Sequence, residues 1–149
     1  MNTDKEIKAL AAQITPHYCY GTPYYINTRT DKMRAQGKMP ACLHIQTAEG
    51  SVSLQDGQYL AVVKNTRRVQ VGFADAVKFD ADPEKTLEKV EHLLGLGKKL
   101  VKLMNESGKW EQVDEISYQV LYDVQDGNLV WVLMDFRVRE ALGECIDAL

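Results

Sequence analysis

The stretch from Asp82 to Gly108 constrains the fold more than any other part of the chain. Leu87, Val90, Leu94, Val101 and Met104 recur at spacings of three, four and seven residues, and Leu93, Leu96, Leu100 and Leu103 widen the stripe. Apolar residues at that period share one face of an α-helix. Asp82 is placed to cap the helix and Pro83 to occupy its first turn. Glu84, Glu88 and Glu91 come early and Lys98, Lys99 and Lys102 late, the order that the helix dipole favours. Gly108 reads as the C-terminal stop. The spacing thus predicts a helix over about 83–106 with one broad apolar face, and such a face is stable only against a second apolar layer. Gly95 and Gly97 interrupt it at about 1 kcal/mol each relative to alanine. They mark either a close helix–sheet contact or a local weakness.

The second layer reads as a sheet. Ile116, Tyr118, Val120 and Tyr122 alternate onto one face, and 125–128 (Gln-Asp-Gly-Asn) is a hairpin turn. The following strand, Leu129 to Val138, is apolar on both faces up to Asp135, which places it centrally. Upstream, Ala41 to Thr47, Val52 with Leu54, Tyr59 to Lys64, and Val69 to Phe73 read as further strands. Glu49-Gly50 and Asp56-Gly57 read as turns between them. Tyr24 to Thr28 also reads as a strand, and Thr30 to Met39 as a polar loop or a helical turn within one. Asp4 to Ile14 predicts a short amphipathic helix, capped by Asn2 or Thr3 and stopped by Pro16. The expected fold is α+β: a mostly antiparallel sheet packed by one long helix and a short N-terminal helix.

A chain of 149 residues makes one domain, 1–149. Hydrophobic residues at 45% and charged residues at 26% exclude a disordered or collagen-like chain. The net charge of −3 argues against a protein coated in basic charge for nucleic-acid binding, but not against a local basic patch. No run of 18 apolar residues is present to span a membrane. The start, MNTDKEIKAL, lacks an apolar signal core, so no secretory signal is expected. Three widely spaced cysteines, Cys19, Cys42 and Cys145, fit a reducing cytosol better than a disulfide framework.

Motifs that carry chemistry are sparse. Gly108-Lys109 and Gly97-Lys98 would need glycines where Leu103 and His92 stand, so neither makes a phosphate-binding loop. His17, His44 and His92 form no zinc spacing with the cysteines, and no metal or cofactor is expected. Cys19 beside His17 or His44 is the one conceivable nucleophile–base pair, whereas Glu144 and Asp147 disfavour a thiolate at Cys145. Asp75, Asp80 and Asp82 flank a strand-to-helix connection, where one of them caps the helix. Arg67-Arg68 reads as a charged pair guarding a strand edge. Arg29, Lys32, Arg34 and Lys38 make a basic segment after the aromatic run Tyr18, Tyr20, Tyr24 and Tyr25. Basic groups interleaved with aromatic faces are what single-strand nucleic-acid binding uses.

One long stretch resembles a known group as a whole. It runs from Val69-Gln-Val-Gly-Phe73 through Phe79-Asp-Ala-Asp82 and the long helix to Leu103-Met-Asn-Glu-Ser-Gly108-Lys-Trp110. It continues through Ile116-Ser-Tyr-Gln-Val-Leu-Tyr-Asp123 and Asn128-Leu-Val-Trp-Val-Leu-Met-Asp-Phe136 to Gly143-Glu-Cys145. This resembles small tail-completion proteins of bacterial prophages of Bacteroidetes type, and the tail-terminator class in element order. The resemblance covers about half the chain, by pattern, and carries no catalytic signature.

The resemblance implies a structural subunit rather than an enzyme. Such proteins form rings, commonly of six, that stop tail-tube polymerisation and join the tube to the head–tail connector, with DNA passing through the lumen. They are made in the bacterial cytoplasm and end in the virion tail. Ring closure requires two unlike patches on each subunit. In that reading Arg29, Lys32, Arg34 and Lys38 face the lumen or the next ring, and Asp126 to Asn128 form another ring-facing turn. The alternative is a small single-stranded nucleic-acid-binding domain using the 18–25 tyrosines and the 29–38 basic segment. A third reading, a cysteine-dependent enzyme, needs a low thiol pKa at Cys19.

Overall fold

The computed structural model describes residues 2–56, 60–78, 82–123 and 128–147. The predicted long helix, α3 (Pro83–Ser107), begins on Asp82, whose Oδ1 accepts the Glu84 amide hydrogen at 3.0 Å. It ends on Gly108, in the left-handed region at φ 72°. Its inner face buries Val90, Leu93, Leu100, Val101 and Met104 against Val69, Val71 and Phe73 of β4 (Leu60–Ala76). The same core takes in Val130, Val132, Met134, Phe136 and Val138 of β6 (Leu129–Arg139). Leu87, at the N-terminal end of the stripe, stands 57% exposed instead.

A short helix, α1 (Thr3–Ala11), lies on the same side of the sheet and adds Ile7 and Ala11 to this core. Asn2 caps it by accepting the Lys5 amide. The buried Trp110 ties the two helices together, its Nε1 donating to Thr3 Oγ1 at 3.4 Å.

Among the described residues the sheet has seven strands. β1 (Tyr18–Gly21), β2 (Ala41–Ile45), β4, β6 and β5 (Ser117–Asp123) run in the order β1-β2-β4-β6-β5. Among the described strands, β1 and β2 are the one parallel pair. β6 lies inside the sheet, between β4 and the edge strand β5, whereas the middle strand is β4 rather than β6, as the two apolar faces of β6 suggest. The first half of β4 extends past this body and pairs with β3 (Gly50–Asp56) on one side and β7 (Glu144–Asp147) on the other. The fold is α+β, with the sheet mostly antiparallel.

A third helix was not expected. α2 (Pro23–Ala35) covers the opposite face of the sheet. Its buried Ile26 packs with Cys19, Ala41, Leu43 and Ala74, and Trp131 leans on the same cluster. The 24–28 segment is therefore helix, not strand, and the segment from Thr30 is helix as far as Ala35 rather than a loop. Thr22 starts it by accepting the Tyr25 amide on its hydroxyl, with Pro23 in the first turn. Tyrosine-rich sequence favours strands on average, but a cap, a first-turn proline and one buried stripe outweigh that preference. Thr30 is buried in this helix with its hydroxyl donated to the Ile26 carbonyl at 2.6 Å.

Three other expectations change. Residues 60–76 form one strand, not two, because β4 exchanges partners midway without breaking. Gly50 opens β3 rather than a reversing turn, and β2 and β3 lie end to end along the same side of β4. Arg67 and Arg68 sit inside β4, not on an edge, and both are ion-paired. The expected turn residues Gly57, Gln125, Asp126 and Gly127, together with Tyr59, Phe79 and Asp80, lie outside the described residues.

Candidate functional site

Helix α2 divides the predicted basic segment. Successive helical residues turn by roughly 100°, so Lys32 and Arg34 point roughly 200° apart. Arg29 and Lys32, with Lys38 beyond the helix end, line an open groove of about 800 Å³ along the sheet edge formed by β1. Arg34 lines a second pocket, of about 510 Å³, on the other side. Three of the four basic residues thus share one site, on a helix and its exit rather than on a loop.

The groove gains two cations that sequence reading passed over. Lys5 and Lys8 project into it from α1, three residues apart and so on one helical face. That spacing was visible in the sequence; their nearness to α2 was not. None of Lys5, Lys8, Arg29, Lys32 and Lys38 forms an ion pair among the described residues. Asp4 is the lone carboxylate among the groove's described lining residues. The sheet arginines differ: Arg67, Arg68, Arg137 and Arg139 each face a carboxylate.

The four tyrosines separate. Tyr25 stands in the groove, 44% exposed, with the Arg29 guanidinium 5.2 Å from its ring centre. Tyr24 is 83% exposed on the same helix. Tyr18 and Tyr20 also line the groove, on its α1 side, where their hydroxyls belong to a polar cluster under α1. The Tyr18 hydroxyl lies 2.6 Å from Nδ1 of His44, which is 1% exposed. Tyr20 donates its hydroxyl to Asp4 Oδ2 at 2.5 Å, and Arg67 reaches the same oxygen at 3.4 Å.

Burial, reinforced by Cys42 and Asp4, pushes the Tyr18 hydroxyl far above its ordinary range, so it keeps its proton. His44 Nε2 lies 3.6 Å from Asp4 Oδ1, which draws the imidazole proton to that side and leaves Nδ1 to accept from the Tyr18 hydroxyl. Burial lowers His44 to about 4 against the pull of Asp4, so the ring is neutral near pH 7. Burial and the Asp4 hydrogen bond push Tyr20 up to about 12. With protons held this firmly, the cluster fixes α1 and β1 in place and so fixes the groove walls.

Cys19 is buried on β1, beneath α2. Burial pushes its thiol up, against a smaller opposing effect of Arg29. Burial likewise raises Cys42 to about 12. A cysteine nucleophile needs the opposite shift. His17 lines the groove, and His44 faces Tyr18 and Asp4 rather than a thiol. Among the described residues, no three His, Cys, Asp or Glu side chains converge as metal ligands. Among the described residues, no helix is long and apolar enough to cross a membrane.

The second pocket brings Arg34 together with Asn128, joined by Lys78, Lys85 and Lys89. Asn128 is exposed, at φ 51°, and its carbonyl accepts the Val77 amide at 2.7 Å. The Arg34 Nε atom is buried with no hydrogen-bond partner among the described residues. Asp126, expected beside Asn128, lies outside the described residues. No protein-family model matches this chain, and no curated protein matches it.

Proposed function

We propose that this chain is a structural subunit of a phage or prophage tail or neck, closing into a ring that terminates the tail tube or joins it to the connector. The observation that carries this reading is a pair of unlike apolar patches on opposite sides of β4. One is the arm formed where β3 extends along β4, with Val52 61% and Leu54 65% exposed on the same face. The other is the outer strand β5, with Tyr118 52% and Tyr122 55% exposed. A ring needs two different surfaces that meet head to tail, and large exposed apolar side chains mark such contacts. The resemblance implies a first helix, a sheet, a helix on the sheet and a closing hairpin; α1, the sheet, α3 and the β5–β6 pair follow that order, and α2 is an addition to it.

This reading assigns the chain no catalytic step and no cofactor. Its partners are further copies of itself, the tail tube and the connector, with DNA in the lumen. It acts in the bacterial cytoplasm during assembly and afterwards in the virion tail. The test is solution mass by light scattering behind a sizing column, across a range of concentrations. A closed oligomer near six chains is the expected result. A single-chain mass at every concentration overturns the self-assembling ring.

A further inference from the structure

We propose that the groove between α1, β1 and α2 binds single-stranded nucleic acid, with Lys5, Lys8, Arg29, Lys32 and Lys38 on its phosphates and Tyr25 stacked on a base. This does not rest on the ring reading, since a monomer presents the same groove.

The first support is a contrast in charge pairing. The arginines of the sheet spend their charge on Asp4, Glu49, Glu111 and Asp135 of the same chain. The five groove cations have no such counter-charge among the described residues. Asp4, the one carboxylate among the groove's described lining residues, is already held by Tyr20 and Arg67. Like charges gathered around one concavity raise the local concentration of an anion even on a chain of net charge −3.

The placement of the cations suits a chain of phosphates. They come from α1, from α2 and from the segment after it, on both sides of the β1 edge. Four of the five are lysines, which act as point charges on phosphate and ask for no fixed fork geometry. A single small phosphate would leave most of them idle.

The third support is aromatic. Tyr25 is half-exposed at the groove, and the Arg29 guanidinium lies over its ring. Every base has a flat face to set against such a pair, whereas an acidic protein segment has none. The ring is also held in position: a methyl group built on Gly21 would stand 2.6 Å from Tyr25 Cδ1, so only glycine lets it lie against β1.

The experiment is fluorescence anisotropy of a labelled oligothymidylate of about 12 nucleotides, within the usual reach of one single-strand groove, titrated at several salt concentrations. Five neutralised phosphates give a slope of log affinity against log salt of about −3.5. The exposed double substitution Lys8→Gln, Lys32→Gln flattens that slope by about 1.4. The matched substitution Lys98→Gln, Lys99→Gln, on the exposed side of α3, leaves it unchanged. Tyr25→Ala weakens binding about tenfold or more, and Tyr25→Phe restores it. No binding at low salt with about 100 µM protein, the weak end of nonspecific affinity, overturns the proposal. Equal losses in the groove and α3 variants overturn it too. Equal affinity for duplex DNA, or equal competition by polyglutamate of matched charge, overturns it in favour of general anion attraction or an acidic protein partner.

Discussion

Gly97 of α3 lies against Met134 of β6 so closely that a methyl group on its α-carbon would stand 2.7 Å from the methionine sulfur. The contact sets how near the long helix approaches the sheet. Gly95, roughly 200° around the helix, has nothing within 4 Å of the same position. The two glycines of this helix therefore have different physical roles. Gly95→Ala gains helix propensity alone and raises stability by about 1 kcal/mol. Gly97→Ala gains the same propensity but must shift the flexible end of the buried Met134 side chain, so it raises stability less than Gly95→Ala. Urea unfolding of both variants checks this; equal midpoints would remove the packing explanation.

His44 makes stability depend on pH. Its pKa falls from 6.5 to about 4 on folding, so between those values the unfolded chain binds a proton that the folded chain refuses. Stability is fully present above about 6.5 and declines as pH falls towards about 4. The groups facing the ring are Tyr18, Tyr20, Asp4 and Arg67. His44→Asn keeps a hydrogen-bond acceptor for Tyr18 and cannot titrate, so its stability is flatter across that window. Tyr18→Phe leaves Nδ1 buried without its donor and costs about 1–3 kcal/mol at neutral pH. Thermal melts at a series of pH values measure both.

The arm supplies a direct test of assembly. Leu54 is 65% exposed on β3. Leu54→Lys leaves the fold intact, since surface substitutions of this kind change stability little. A lysine there opposes pairing with another copy, as charges on edge strands commonly do. The expected result is loss of the closed oligomer with an unchanged circular dichroism spectrum. An oligomer that survives the substitution places its contacts elsewhere.

Burial controls the cysteine chemistry. With both thiols raised, Cys19 and Cys42 alkylate slowly with iodoacetamide near neutral pH in the folded protein and quickly after unfolding. Peptide mass mapping against time reads each site. Rapid, selective labelling of Cys19 in the folded protein would restore the cysteine-enzyme reading.

Local sequence alone determined the long helix, its cap at Asp82, its stop at Gly108 and the place of β6 inside the sheet rather than at its edge. Those features follow from periodicity, capping chemistry and two-sided apolarity, all of which act over a few residues. The Glu49-Gly50 turn and the split of β4 failed for the opposite reason, because strand partners lie far away in sequence. Helix α2 was misread because its buried stripe is narrow: Ile26 and Thr30 are its buried residues, and one of them is polar. Only once the chain folds back on itself do Lys5 and Lys8 stand across β1 from Arg29 and Lys32, and Arg34 stand beside Asn128. A one-dimensional pattern records which face of a helix a charge occupies. Which charges share a groove depends on how two helices pack on opposite faces of one sheet, and that is decided by burial across the whole domain.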